Sequence, residues 1–107
     1  MAATARPDSN EAIGARLRLI RLAYGLLQDP LHPMTQAEFS RLCGVGRQGW
    51  NNAETGDNRI GLDMAMAVKR RTGVGLNYIY DGDLRDLPHA IAIEIARLET
   101  KRPAKRA

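Results

Sequence analysis

Residues 35–56 read TQAEFSRLCGVGRQGWNNAETG, and this stretch of the 107-residue chain decides the fold. It opens as a capping box, because Thr35 precedes a segment with helical spacing and Glu38 follows three residues later. Gly44 can take the positive φ with which helices commonly end. A second helix should run over residues 46–54, closed by a further glycine. The stretch therefore predicts two short helices joined by a sharp turn.

Small and large side chains alternate over these two helices in the way that close packing requires. Ser40, four residues before Gly44, is small enough to let the helices approach each other. The side chains expected to fill the space between them are Phe39, Cys43, Val45, Trp50 and Ala53. A large Trp50 beside a small Ala53 is a volume-compensated pair. A helix, a glycine-containing turn and a second helix make a helix-turn-helix motif.

Residues 44–49 read GVGRQG and satisfy the glycine pattern of a dinucleotide-binding loop. That pattern is informative only after a buried strand, whereas residues 35–43 have apolar positions at helical spacing. The acidic residue expected about twenty positions later is present as Asp63, but it also starts a helical pattern, where an acid favours the helix dipole. We therefore predict no nucleotide site. No nucleophile–base pair or carboxylate constellation is evident, so we expect no enzyme.

The rest of the chain also has helical periodicity. A first helix is predicted to end at Gly25, and residues 26–34, with two prolines, form a connector. The apolar face of that helix consists of Ile13, Leu17, Ile20 and Tyr24. Further helices are predicted in LDMAMAVKRRTG (62–73), LNYIYDG (76–82) and HAIAIEIARLE (89–99). The predicted fold class is all-α, a compact bundle of about five short helices plus a C-terminal helix.

The chain is predicted to contain four segments. They are a flexible N-terminal arm (1–10), a helix-turn-helix domain (11–82, with its motif at about 35–55), a C-terminal helix (83–99) and a basic tail (100–107). The net charge of +4 belongs to the tail, which holds four of the sixteen Lys and Arg and none of the twelve acids. The remainder is neutral, so a basic face has to come from local placement.

Composition excludes several kinds of site. A single cysteine, Cys43, permits no intramolecular disulfide and no cysteine-based metal cage, and is expected to be a small core residue. His32 and His89 are far apart and unaccompanied, so we predict no metal, no cofactor and no small-molecule ligand. No apolar run is long enough to cross a membrane, and residues 1–10 lack the apolar segment of a signal peptide. The expected location is cytoplasmic.

The motif resembles that of the Cro and phage-repressor type of helix-turn-helix protein, the xenobiotic-response-element family, over about residues 13–82. The matching positions are Thr35, Gln36, Glu38, Gly44, Val45, Glu54, Gly56, Gly73, Val74, Leu76 and Tyr78. The chain departs from the family pattern in a longer first connector and in Trp50, where isoleucine or valine is usual. Gly46 and Gly49 also stand where polar residues are common. The resemblance implies a lambda-repressor-like fold and a DNA-binding activity.

The resemblance also implies roles for single residues, because the second helix of the motif would enter the major groove with its first residues at base edges. The implied base contacts are Arg47, Gln48 and Asn52. Arginine can bond guanine as a fork, and glutamine or asparagine can pair with adenine. The implied phosphate contacts are Gln36, Gly46, Asn51, Thr55, Asn58 and Arg59. For Arg59, pairing with Asp57 is the alternative.

The expected function is that of a transcriptional regulator, a repressor that binds a palindromic operator in double-stranded DNA as a homodimer. A two-fold dimer places its recognition helices about 34 Å apart. The expected dimer interface is the apolar stripe of Ile91, Ile95 and Leu98, and the alternative is that this stripe folds back onto its own domain. The basic tail either adds attraction to phosphates or is an inert solubilising end.

A second hypothesis keeps the same scaffold but makes it a protein-interaction module. The chain would then be an antitoxin or adaptor that binds a toxin-like protein partner through its last helix or its leucine-containing connector. The neutral charge of residues 1–99 and the two glycines in the recognition helix motivate this hypothesis. An antitoxin can also bind its own operator, so the two functions overlap. A neighbouring toxin-like reading frame would separate them.

Overall fold

The computed structural model describes residues 6–100, which form six α-helices and one turn of 3₁₀ helix. The helices are α1 (Asn10–Gln28), α2 (Gln36–Cys43), α3 (Arg47–Thr55), α4 (Leu62–Thr72), α5 (Leu76–Asp81) and α6 (His89–Thr100), with the 3₁₀ turn at Leu84–Asp86. These described residues contain no strand, which confirms the all-α prediction. Within the same range no helix is both long and apolar enough to cross a membrane. Residues 1–5 of the predicted arm and 101–107 of the predicted tail lie outside the described residues.

Helix α1 is the centre of the bundle, because α3, α5 and α6 all pack against it. Its buried face continues into an aromatic cluster in which the rings of Phe39 and Trp50 have centroids 5.0 Å apart. The predicted core between α2 and α3 is confirmed for Phe39, Trp50 and Ala53, which are buried. Cys43 and Val45 lie at its margin, half-buried. The close contact of α2 with α3 is made possible by the buried Ser40.

The ends of the predicted motif form as the sequence indicates. Thr35 Oγ1 accepts a hydrogen bond from the backbone N–H of Glu38 at 3.1 Å, and Glu38 Oε1 accepts one from the N–H of Thr35 at 2.9 Å. This capping box starts α2. Gly44 ends it with a φ of 75°, a conformation that a side chain would oppose. The turn then leads directly into α3.

The predicted end of the first helix at Gly25 is wrong, because α1 continues to Gln28. Gly25 is buried, and a Cβ at this position would lie 2.5 Å from the Cβ of Met34. The glycine therefore lets the connector pack against α1. It does not terminate the helix.

Part of the predicted N-terminal arm is a structured turn. The N–H of Ser9 donates to the carbonyl of Arg6 at 3.0 Å, and the hydroxyl of Ser9 caps α1 by accepting from the N–H of Ala12. Helix α1 begins at Asn10. Residues 6–9 thus lead into α1 as a defined segment.

The apolar stripe of α6 packs inward. Ile91 and Ile95 are each 3% exposed and belong to the same core as α1. The assignment of these two residues to a dimer interface is therefore wrong, because the domain itself covers them. Leu98 is half-buried and lines a groove of about 260 Å³ between α6 and α1. The other residues that line this groove are Ala15, Arg18, Leu19 and Leu22.

Candidate nucleic-acid interface

A buried ion pair joins the first helix to the third. Arg21 donates from Nε to Glu54 Oε2 at 2.7 Å and from Nη2 to Glu54 Oε1 at 3.0 Å. The two side chains are only 11% and 4% exposed. Arg21 also donates from Nη1 to the carbonyl of Met34 at 2.7 Å, on the connector. Because buried charges are tolerated only when they are paired and hydrogen-bonded, this pair holds α1, α3 and the connector in one arrangement.

Two further donors complete the environment of the Glu54 carboxylate. The indole Nε1 of Trp50 donates to Oε2 at 2.6 Å, and the amide Nε2 of Gln36 donates to Oε1 at 3.0 Å. Each carboxylate oxygen therefore accepts two hydrogen bonds. Trp50 can occupy its buried position because its ring is packed and its N–H is satisfied. The network extends from the core to the start of α2.

The start of α3 faces solvent. Its N-cap, Gly46, carries no side chain that could bond the first N–H groups of the helix. Arg47 and Gln48 follow and are exposed. No other residue within 6–100 makes a hydrogen bond or an ion pair with the Arg47 guanidinium. A helix N-terminus with a free arginine is an electropositive site that suits the acceptor groups of a nucleic acid.

Four of the predicted contact residues share one surface. Gln36, Arg47, Gln48 and Asn51 line a shallow hollow of about 500 Å³ between the start of α2 and the start of α3. The turn at Gly44 brings these residues together from two helices. Arg47 supplies the cation in a lining that is otherwise made of amides. The hollow therefore offers both donors and acceptors to a ligand.

The third predicted base contact, Asn52, lies one helical turn after Gln48. Gln48 Nε2 donates to Asn52 Oδ1 at 3.0 Å. The whole NH₂ group of one amide and the carbonyl oxygen of the other remain available for a ligand, whichever of the two amides donates in this bond. Adenine presents the complementary pair in the major groove, an N6–H donor and an N7 acceptor. The pair is thus chemically suited to an A·T base pair.

The remaining predicted phosphate contacts, Thr55, Asn58 and Arg59, lie at the other end of α3. The Thr55 hydroxyl donates to the carbonyl of Asn52 at 3.1 Å, and the backbone N–H of Asn58 donates to the same carbonyl at 3.2 Å. Arg59 donates from Nη2 to the carbonyl of Asp8 at 2.6 Å. The alternative pairing of Arg59 with Asp57 is therefore wrong. These three residues do not line the hollow.

A second hollow, of about 270 Å³, lies between the C-terminal ends of α2 and α4. Arg71 donates from Nε to the carbonyl of Leu42 at 3.0 Å. The basic last turn of α4 thus supplies a hydrogen-bond donor to a carbonyl group at the end of α2. Cys43 lines this hollow, and burial raises the pKa of its thiol to about 11. A thiol with that pKa is almost entirely protonated at neutral pH, which makes it a poor nucleophile.

The sequence does not predict the buried network at Glu54. Glu54 stands out in the sequence only as a position that matches the family, and Arg21 lies off the apolar face of α1. The available signal was a Trp50–Glu54 spacing of one helical turn, which lets an indole N–H reach a carboxylate.

Within residues 6–100, no group of three or more His, Cys, Asp or Glu side chains is arranged to hold a metal ion. No family model matches the chain, and no match to a curated protein or a solved structure was found.

Proposed function

We propose that this chain is a sequence-specific DNA-binding regulator of transcription, a helix-turn-helix protein of the Cro and phage-repressor type. The observation that carries the proposal is the shared hollow, in which Arg47 and Gln48 at the open start of α3 lie beside Gln36 at the start of α2. A helix about 10–12 Å wide fits a major groove about 12 Å wide. The buried face of α3, with Trp50 and Ala53, fixes which side of the helix is free to read bases.

The polar groups along the free side of α3 have defined partners in this proposal. Arg47 bonds guanine O6 and N7 as a fork, and the Gln48–Asn52 pair reads a neighbouring adenine. Gly46 allows the backbone to approach a phosphate, and Asn51 bonds a phosphate from the hollow. Arg59 already donates from Nη2 to the carbonyl of Asp8, which leaves fewer of its N–H groups for a phosphate, so we rank it below the others. A regulator of this kind would act in the cytoplasm.

We further propose that the chain acts as a homodimer and represses by occupying a palindromic operator. The molecule measures 38 × 30 × 25 Å. Equivalent points on two copies packed side by side can therefore lie about 34 Å apart, which is the distance between half-sites one helical turn apart. Since Ile91 and Ile95 are covered by α1, pairing would use the outward side of α6. That side carries Ile93, which is 39% exposed.

A second candidate function is an antitoxin or adaptor that binds a protein. The observation in its favour is Leu31, which is 92% exposed on the connector between α1 and α2. Copurification with the product of a neighbouring toxin-like reading frame, lost in Leu31→Ser and kept in Arg47→Ala, would support this function. Retention of that complex in Leu31→Ser would exclude the connector as the binding surface.

The test of the DNA-binding proposal is selection from a random-sequence duplex pool at two salt concentrations. We expect a palindrome to be enriched, with half-sites about one helical turn apart. Binding that is weak, steeply dependent on salt and without an enriched sequence would contradict the proposal, because such binding needs only basic residues.

The matched test of the site uses Arg47→Ala against Arg85→Ala, which removes the same charge from an exposed side chain outside the hollow. Arg47→Ala should cost about 1–3 kcal/mol at one base pair and relax the preference there. Arg85→Ala should leave that preference unchanged. Equal preferences in both variants would count against Arg47 as a base contact.

A further inference from the structure

The last turns of α2 and α4 bring positive charge to one end of the molecule. Both helices carry an acid in the first turn and basic residues in the last turn. The second hollow is lined by residues from both C-terminal ends, so the basic turns meet there. We name this space the basic hollow. The exposed cations of the two last turns are Arg41, Lys69, Arg70 and Arg71, of which the last two line the hollow.

This positive charge has no ion-pair partner within the protein. The ion pairs formed within residues 6–100 involve none of the four cations. The C-terminal end of a helix carries about half an elementary negative charge, so the two helix ends offset only about one of the four cations. Arg71 uses its Nε for the carbonyl of Leu42 and keeps its other N–H groups. The basic hollow therefore attracts an anionic group.

The lining of the basic hollow is otherwise apolar. Leu42 is 38% exposed, and Cys43 and Ala67 line the same space. Its volume of about 270 Å³ lies below the range of about 300–1,000 Å³ that is typical of small-molecule pockets. The hollow has room for one large apolar side chain beside two arginines. This combination suits a protein segment that is both acidic and apolar.

Duplex DNA fits this surface less well than such a segment does. A sugar–phosphate backbone offers acceptors to arginine but no large apolar side chain for Leu42. The surface is also separate from the hollow that contains Arg47. That hollow lies at the start of α2 and the basic hollow at its end, and the eight residues of α2 make it about 12 Å long.

The chain's own segments are also poor occupants. Two of its exposed leucines lie next to acids, but these acids are already hydrogen-bonded within their own turns. Asp29 accepts from the N–H of Leu31 at 3.0 Å, and Asp83, next to Leu84, is paired with Arg85 at 3.0 Å. The basic tail contains four cations and no acid, so its charge opposes binding here. Charge therefore favours a segment of a separate protein.

We propose that the basic hollow binds an acidic segment of a separate protein, in which one large apolar side chain contacts Leu42 and flanking carboxylates pair with Arg70 and Arg71. Clusters of arginine recognise acidic motifs because a carboxylate can accept two parallel N–H bonds from a guanidinium. The apolar contact adds buried area, and the opposite charges guide the approach. The proposal does not depend on the DNA binding proposed above.

The first test selects displayed random peptides on the purified full chain. We expect the enriched peptides to carry several Asp or Glu residues around one Leu, Ile, Met or Phe. A selection that enriches no sequence, or one that enriches peptides without acids, would overturn the proposal.

The second test compares Arg70→Ala with Arg85→Ala, which removes the same charge from an exposed side chain outside the basic hollow. Binding of a labelled enriched peptide is measured by fluorescence anisotropy. Arg70→Ala should lower the affinity about tenfold, which corresponds to about 1.4 kcal/mol, and Arg85→Ala should leave it unchanged. Equal losses would overturn the proposal, because the peptide would then respond only to overall charge. Alanine in place of the apolar residue of the peptide should also weaken binding, and an unchanged affinity would contradict the apolar contact.

The third test locates the peptide on the protein by NMR. Addition of the enriched peptide should shift the backbone amide signals of Leu42, Ala67 and Arg70. Shifts confined to the start of α3 would overturn the proposal. Displacement of the peptide by a random-sequence duplex would assign the basic hollow to DNA, and a wild-type dimer that Arg70→Ala dissociates would assign it to a second copy. Either result would overturn the proposal as well.

Discussion

At the scale of single residues, Glu54 carries the interactions on which the arrangement of α1, α2 and α3 depends. Its carboxylate accepts four hydrogen bonds from Arg21, Trp50 and Gln36. We expect Glu54→Gln to lower the free energy of unfolding by about 3–5 kcal/mol, because it leaves the buried Arg21 charge without a partner. Urea unfolding followed by Trp50 fluorescence measures this change.

The control for Glu54→Gln is Glu94→Gln, which breaks the Arg97–Glu94 pair one turn apart on α6. Arg97 is largely exposed, so this substitution should change the free energy of unfolding by about 0.5 kcal/mol or less. Equal effects of the two substitutions would show that burial of the Arg21–Glu54 pair has no special importance for stability.

Two weakly acidic side chains, the half-buried thiol of Cys43 and the buried phenol of Tyr78, make stability depend on pH in the alkaline range. Burial raises the pKa of Cys43 to about 11, from 9.0, and that of Tyr78 to about 12, from 10.0. The unfolded chain therefore loses these protons first as the pH rises. Their contribution is fully present below pH 9 and is lost as the pH passes through the folded-state pKa values.

We expect the free energy of unfolding to fall between pH 9 and pH 12, measured by urea unfolding at several pH values. The double variant Cys43→Ala, Tyr78→Phe should show a shallower fall over the same range. A fall as steep as that of the wild type would assign the dependence to other groups.

At the scale of helices, the contact between α1 and α3 depends on Gly14. A Cβ at this position would lie 2.4 Å from the backbone oxygen of Glu54 and 2.7 Å from that of Ala53. Helix propensity alone favours alanine by about 1 kcal/mol. Backbone atoms cannot move aside as a side chain can, so the steric cost wins. We expect Gly14→Ala to lower the free energy of unfolding by about 2 kcal/mol.

Gly49 provides the comparison, since it is also a helical glycine. A Cβ there would approach only the terminal methyl of Met64, at 3.2 Å, and this flexible end can shift. Gly49→Ala should therefore raise the free energy of unfolding by up to about 1 kcal/mol. If thermal melting finds both alanine variants stabilised, the close approach at Gly14 is not limiting.

The sequence predicted the helices well because their ends are local. Thr35 with Glu38 starts α2 and Gly44 ends it, and all three lie within ten residues. The prediction that the first helix ends at Gly25 is wrong because a glycine that ends a helix and one that admits a neighbouring segment look alike in sequence. Only the fold, which brings Met34 against it, tells the two apart.

The candidate site was predictable in part for the same reason. Arg47 and Gln48 follow directly from the position of the turn. The link from Gln36 to Arg21 passes through Glu54, which lies 33 residues from Arg21 in the chain. No periodic pattern encodes such a contact. The covering of Ile91 by α1 is equally non-local, since an apolar stripe does not specify its partner.

At the scale of the whole molecule, the DNA binding proposed above would have to come from local charge, because residues 1–99 carry no net charge. The hollow has such local positive charge, because Arg47 lies at the N-terminus of α3. A single such surface makes few contacts, so the proposed operator binding requires two copies. Bringing two half-sites together converts the second contact into an intramolecular one and raises affinity by about 10²-fold or more.

The dimer proposal predicts a strict dependence on half-site spacing. Insertion of 5 bp between the half-sites turns them to nearly opposite faces of a duplex that has about 10.5 bp per turn. We expect this insertion to lower affinity about a hundredfold, to that of a duplex with one half-site.

The exposed Ile93 on α6 gives the matched variant, because Ile93→Lys should prevent pairing without touching the buried stripe. That variant should sediment as a monomer and bind the original and inserted duplexes equally. If the wild type itself binds both duplexes equally, the chain reads DNA as a monomer, and Ile93→Lys will then leave its affinity unchanged.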